Sequence, residues 1–100
     1  MVVFFIESED PLLAEKAMAR LHRVVREQIE TLGFDKLEIL GPAPAAIIRI
    51  MKKYRWNLAT LSRSAKRLNT LARATRAVFE PQLQSGKVAM KIDLDPYGMF

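Results

Sequence analysis

Apolar positions along the chain switch between a period of two and a period near 3.6, and the switches divide it into elements. Met1 to Ile6, MVVFFI, is apolar without alternation, the pattern of a central strand covered on both faces. Asp10 and Pro11 then open a helix, with Asp10 as N-cap and Pro11 in the first turn, where its missing N–H costs nothing. Glu9 and Glu15 stand near the positive end of its dipole. Leu13, Ala17, Leu21, Val24, Val25, Ile29 and Leu32 recur at three and four and predict one buried stripe over about six turns. Gly33 closes the helix.

Leu37 and Ile39 predict a short second strand ending at Leu40, where Gly41-Pro42-Ala43-Pro44 breaks regular structure. Two prolines remove two backbone donors, so this segment is expected as a stiff surface spacer outside the sheet. The following run, AAIIRIMKKYRWNLATL, has the residues of a helix as well as of strands. Ile48 to Ile50, then Trp56, Leu58 and Thr60 at period two, read as two half-buried strands meeting near Lys52 and Lys53. Ser62 or Ser64 caps a second helix, with Leu68, Leu71, Ala72, Thr75, Val78 and Phe79 as its inner stripe. Pro81 ends it. Ser85-Gly86 turns the chain into a last strand, where Val88, Met90, Ile92 and Leu94 alternate with Lys87, Ala89, Lys91 and Asp93.

The resulting order, β-α-β-β-(β)-α-β, predicts an α+β domain spanning residues 1–100. Two helices pack on one face of a mixed or antiparallel sheet of four to five strands, in the ferredoxin-like manner. A right-handed crossover puts Met1 to Ile6 in the middle.

Composition narrows the class. Half of the residues are hydrophobic and 27% are charged, an ordinary globular balance. One hundred residues support a single core but not a two-lobed nucleotide-driven motor. There is no cysteine, which removes disulfides and thiolate metal sites and fits a reducing cytosol. No apolar run reaches the length of a membrane span or a signal peptide. The net charge of +5 is unevenly placed: residues 1–40 have five Lys/Arg against eight Asp/Glu, and residues 41–100 have eleven against three. No carboxylate occurs between Glu38 and Glu80, and an acidic and a basic side are therefore expected.

The basic stretch carries the candidate chemistry. Lys52, Lys53 and Arg55 can neutralise phosphates while Tyr54 and Trp56 offer rings on which unpaired bases stack. The competing reading makes both rings cross-strand packing residues. Arg63, Lys66, Arg67, Arg73 and Arg76 extend the track, and helical spacing puts Lys66, Asn69, Thr70, Arg73 and Arg76 on one solvent face. A solvated helix face explains that pattern too, but like charges without carboxylates at i,i+4 repel unless something external compensates them. His22 is the single histidine and has no partner residues to orient it for catalysis. Asp93 and Asp95 precede Pro96 and read as a turn rather than a Mg²⁺ site, which two carboxylates alone do not make. No metal site, cofactor or phosphate-cradling loop is predicted, and no oriented nucleophile and base point to an enzyme.

Three pieces in order, LGPAPA at 40–45, KYRWN at 53–57 and IDLDP at 92–96, resemble the C-terminal domain of the primosomal replication-restart helicase PriA. The resemblance spans essentially the whole chain. It departs at Asn57, where the family commonly has Gln, and at Lys52-Lys53, where a Gly often stands in the turn. The resemblance implies a non-catalytic module of a bacterial cytoplasmic enzyme. Such a module packs on the helicase lobes, contacts single-stranded or forked DNA and helps receive the acidic tail of single-stranded DNA-binding protein. The ATPase motifs and zinc-binding cysteines of the parent are absent from this sequence. Two functions compete. In one, Lys52, Lys53, Tyr54, Arg55, Trp56 and the helix cations bind DNA; in the other, Arg63, Lys66 and Arg67 grip an acidic peptide beside an apolar notch near Trp56 or Leu61. An RNA-binding protein of similar fold is a further alternative, because phosphate attraction and stacking do not distinguish RNA from single-stranded DNA.

Overall fold

The computed structural model of the chain describes residues 1–44, 53–83 and 86–94. Its elements run β1 (Val2–Ser8), α1 (Pro11–Leu32), β2 (Glu38–Pro44), β3 (Tyr54–Leu61), α2 (Ala65–Phe79) and β4 (Val88–Leu94), with a 3-10 turn at Glu80–Gln82. The four strands form one antiparallel sheet in the order β2-β3-β1-β4, so each helix returns the chain to a strand two places away. This is the expected α+β arrangement, with β1 at the centre. The additional strand expected around Ile48 to Ile50 lies outside the described residues.

Alternation along the strands decides which side chains meet the helices. Val2, Phe4 and Ile6 are fully buried, and their partners Thr60, Leu58 and Trp56 on β3 share that face, as do Leu94, Ile92 and Met90 on β4. From α1 come Ala14, Ala17, Met18, Leu21, Val24 and Val25, and from α2 Leu68, Leu71, Ala72 and Phe79. Val3 and Phe5 point to the opposite face and are half-buried. The expectation that β1 is covered on both sides is thus corrected: two helices suffice for one face, and among the described residues no element covers the other.

The helix ends follow from local chemistry. Asp10 accepts from the Leu12 and Leu13 amides at 2.9 and 3.4 Å, and Gly33 closes α1 at φ 67°. Of the two serines proposed as caps for α2, Ser64 does so, accepting from the Arg67 amide at 3.2 Å. Val78 is corrected from core to surface, being 40% exposed where α2 ends. A second correction concerns Gly41 to Pro44. These residues continue β2 as an edge strand rather than forming a spacer, and Ala43 and Pro44 pair with Asn57 and Trp56. A register shift between Leu40 and Ala43 absorbs the break, and an edge strand tolerates prolines because one side of its backbone needs no donors.

Candidate nucleic-acid interface

β3 divides the basic-aromatic cluster between the two faces of the sheet. Tyr54 and Trp56 stand opposite Ser8 and Ile6 on the helix side, whereas Arg55 stands opposite Glu7 on the open side. Trp56 is half-buried against the core and Tyr54, at the strand end, is 43% exposed. The packing role weighed for Trp56 in the sequence is therefore the one its neighbours support, and the two rings and Arg55 do not form one patch. Lys53 is half-buried just before β3, and Lys52 lies outside the described residues.

Arg55 belongs to a three-residue cluster that the basic run gave no reason to expect. Its Nε donates to Glu7 Oε2 at 2.8 Å and its Nη2 donates to the same oxygen; Lys91 Nζ pairs with Glu7 Oε1 at 3.2 Å. The guanidinium carbon lies 5.3 Å from the centre of the Phe5 ring. Burial alone would push the Glu7 carboxyl up; the hydrogen bonds from Arg55 and Lys91 and their charges outweigh it and hold the group below its ordinary value. Sequence reasoning missed Glu7, Phe5 and Lys91 because the distances along the chain are long. The available signal was a lone carboxylate ending an apolar strand, which needs a cation beside it.

The cations around α2 fall into two groups. Arg67 donates from Nη1 to Asp35 Oδ1 at 3.1 Å and lies over Phe34, and Arg76 pairs with Glu80 at 3.1 Å. The expected absence of an i,i+4 carboxylate is corrected at Arg76, since Glu80 follows it by four residues just past the helix. Arg63, Lys66 and Arg73 are exposed and have no ion-pair partner among the described residues. Asn69 and Thr70 share the exposed side of the helix with them, as the spacing predicted.

Two concave surfaces flank α2. A cleft of about 680 Å³ at its N-terminus is lined by Asp35, Lys36, Glu38, Leu61, Ser62, Arg63, Ser64 and Arg67. This brings Arg63, Arg67 and the apolar Leu61 together, but with two carboxylates among them. A groove of about 320 Å³ between α2 and β4 is lined, among the described residues, by Asn69, Ala72, Arg73, Arg76, Ile92 and Leu94, none of them a carboxylate. Among the described residues there is no group of His, Asp and Glu that could hold a metal ion, and no helix is long and apolar enough to cross a membrane. His22 lies on the solvent side of α1 with Arg23, Arg26, Glu27 and Glu30. Asp95 lies outside the described residues.

The family model of the primosomal protein N C-terminal domain matches residues 1–97. Among curated proteins, none matches the chain.

Proposed function

Because the chain belongs to the family of primosomal protein N C-terminal domains, whose role is in primosomal replication restart, we propose that it is a non-catalytic, cytoplasmic module that contacts DNA from its helical side. One observation carries this reading: Arg63, Lys66 and Arg73 project from or just before a helix that contains no carboxylate, and none of the three has an ion-pair partner among the described residues. Neutralised phosphates release counterions, so affinity of this kind falls steeply with salt. Tyr54, exposed at the start of β3, is the ring available for an unpaired base; Trp56 serves the core. If about three phosphates of a single strand are neutralised, log K falls against log salt with a slope of about −2. Titration of oligothymidine and forked DNA across a salt series tests this. Arg63→Gln with Lys66→Gln is expected to flatten the slope by about 1.4, and a wild-type slope near zero overturns the reading.

A second reading, docking of an acidic protein tail such as that of single-stranded DNA-binding protein, is favoured by the groove between α2 and β4. Arg73 and Arg76 rim an apolar floor of Ala72, Ile92 and Leu94 there. Arg76 is paired with Glu80, which leaves Arg73 as the groove's unpaired cation among the described residues; the cleft at Arg63 and Arg67 has two carboxylates, Asp35 and Glu38, in its own lining. The helicase lobes of the parent enzyme would dock elsewhere, and the face of the sheet away from the helices, which no element among the described residues covers, is the candidate.

A further inference from the structure

The two edges of the sheet are built differently. β2 carries Gly41, Pro42 and Pro44 and a register shift, so missing donors and a bulge blunt that edge against further pairing. β4 has no Pro or Gly and pairs with β1 in unbroken register from Val88 to Leu94. Among the described residues no strand pairs with its outer side. Such an edge presents a row of backbone donors and acceptors, the feature that β2 is protected from presenting. Lys91, the one cation within the strand, is engaged with Glu7 on the neighbouring β1.

Immediately beside this edge lies the groove lined by Ala72, Ile92, Leu94, Arg73 and Arg76. Leu94 is 47% exposed there. We propose that β4 is a strand-addition site: an extended acidic segment of a partner protein pairs its backbone with the outer edge of β4. Its inward side chains then rest on Ile92 and Leu94 and set a carboxylate against Arg73. The proposal rests on the docking reading above and specifies how the segment is held. Backbone hydrogen bonds give the affinity, and the groove selects charge and alternation. A peptide is the occupant that fits, because only another peptide backbone matches an edge of alternating N–H and C=O groups; Arg73, which has no ion-pair partner among the described residues, favours an acidic one.

The probe is a synthetic hexapeptide in which one set of alternate residues, sharing one face of the extended chain, is Val, Val and Glu with Thr between them, together with two versions N-methylated at alternate amides, so that each lacks the donors on one side. Binding to the full chain is followed by fluorescence anisotropy, and hydrogen exchange is read at the β4 amides. The expected result is that the parent peptide binds and slows exchange in β4, one methylated version loses roughly tenfold or more, and the other binds as the parent does. Arg73→Gln, at an exposed position, weakens all binding without altering the fold. Equal binding by all three peptides overturns strand addition while leaving side-chain docking intact. No binding by any of them overturns both. Protection of the β4 amides by oligothymidine, or by a dimer seen in sedimentation without peptide, assigns the edge to nucleic acid or to a second copy and also overturns the proposal.

Discussion

Glu7 is the residue whose surroundings differ most from what its neighbours in the chain imply. Its side chain is 7% exposed on a face that no described element covers, because Arg55, Phe5 and Lys91 close over it. Its carboxyl is held below its ordinary value in the folded protein, so the unfolded chain binds the proton more readily. The stability this supplies is complete above the unfolded value of about 4.5 and is lost as pH falls through the lower folded value. Glu7→Gln leaves Arg55 and Lys91 facing a neutral amide and is expected to cost about 1–3 kcal/mol at pH 7. In urea unfolding the difference from wild type should shrink as pH is lowered below 4.5, and a difference that stays constant would mean the carboxylate charge is not what matters. Thr75 makes the opposite case. It is fully buried in α2, and its hydroxyl has no hydrogen-bond partner among the described residues. Thr75→Val replaces that hydroxyl with a methyl of similar size, so a gain of about 1 kcal/mol is expected from the same unfolding measurement. The sequence put Thr75 on the inner stripe correctly, but periodicity says nothing of whether a buried hydroxyl finds an acceptor.

At the scale of elements, what was legible followed from local rules. Asp10, Pro11 and Gly33 set the ends of α1, and Ser64 sets the start of α2, because a cap needs only its own few neighbours. The strand β4 was legible from alternation alone. Less legible was anything decided by position in the sheet. β1 reads as buried on both sides, since Val3 and Phe5 are as apolar as Phe4 and Ile6, and only the number of helices reveals that one face has no helix on it among the described residues. Gly41 to Pro44 reads as a break for the same reason: proline excludes a central strand but not an edge, and edge position is a property of the whole sheet. Gly41 makes the edge possible. At φ 97° an added Cβ would come within 3.2 Å of both the Ala43 nitrogen and the Asn57 carbonyl oxygen. Gly41→Ala therefore meets an unfavourable backbone region and two backbone atoms that cannot swing aside, and about 1–3 kcal/mol of destabilisation is expected. Amide exchange across β2 and β3 locates the damage: it should be confined to the pairing of Leu40 to Pro44 with Trp56 to Ala59, leaving β1 and β4 protected.

For the molecule as a whole, charge separates by layer rather than by position along the chain. The acidic first half and basic second half predict two sides, but β1 and α1 are interleaved with β3 and α2 once folded. α2 carries four cations and no carboxylate, and α1 carries four cations with three carboxylates, so both helices contribute to one electropositive layer. On the open face of the sheet Arg55 and Lys91 are matched by Glu7, with Glu38 and Asp93 also on that face by register. If DNA approaches the helical layer, cations there should not weigh equally. Arg23 and Arg26 each have a carboxylate four residues on, Glu27 and Glu30, at the spacing where opposite charges offset one another on a helix. Arg63 and Lys66 have no such neighbour. Replacing Arg23 and Arg26 by Gln should flatten the salt dependence of DNA binding by less than half of what the Arg63 and Lys66 pair produces, where about 1.4 is expected. Lys91→Gln, on the far side of the sheet, should leave the slope unchanged, because Arg55 still neutralises Glu7 and no phosphate contact is lost. A slope that responds to Lys91 and ignores Arg63 and Lys66 would move the nucleic acid to the open face. Phe5, with the Arg55 guanidinium beside it, would then be the surface against which bases stack.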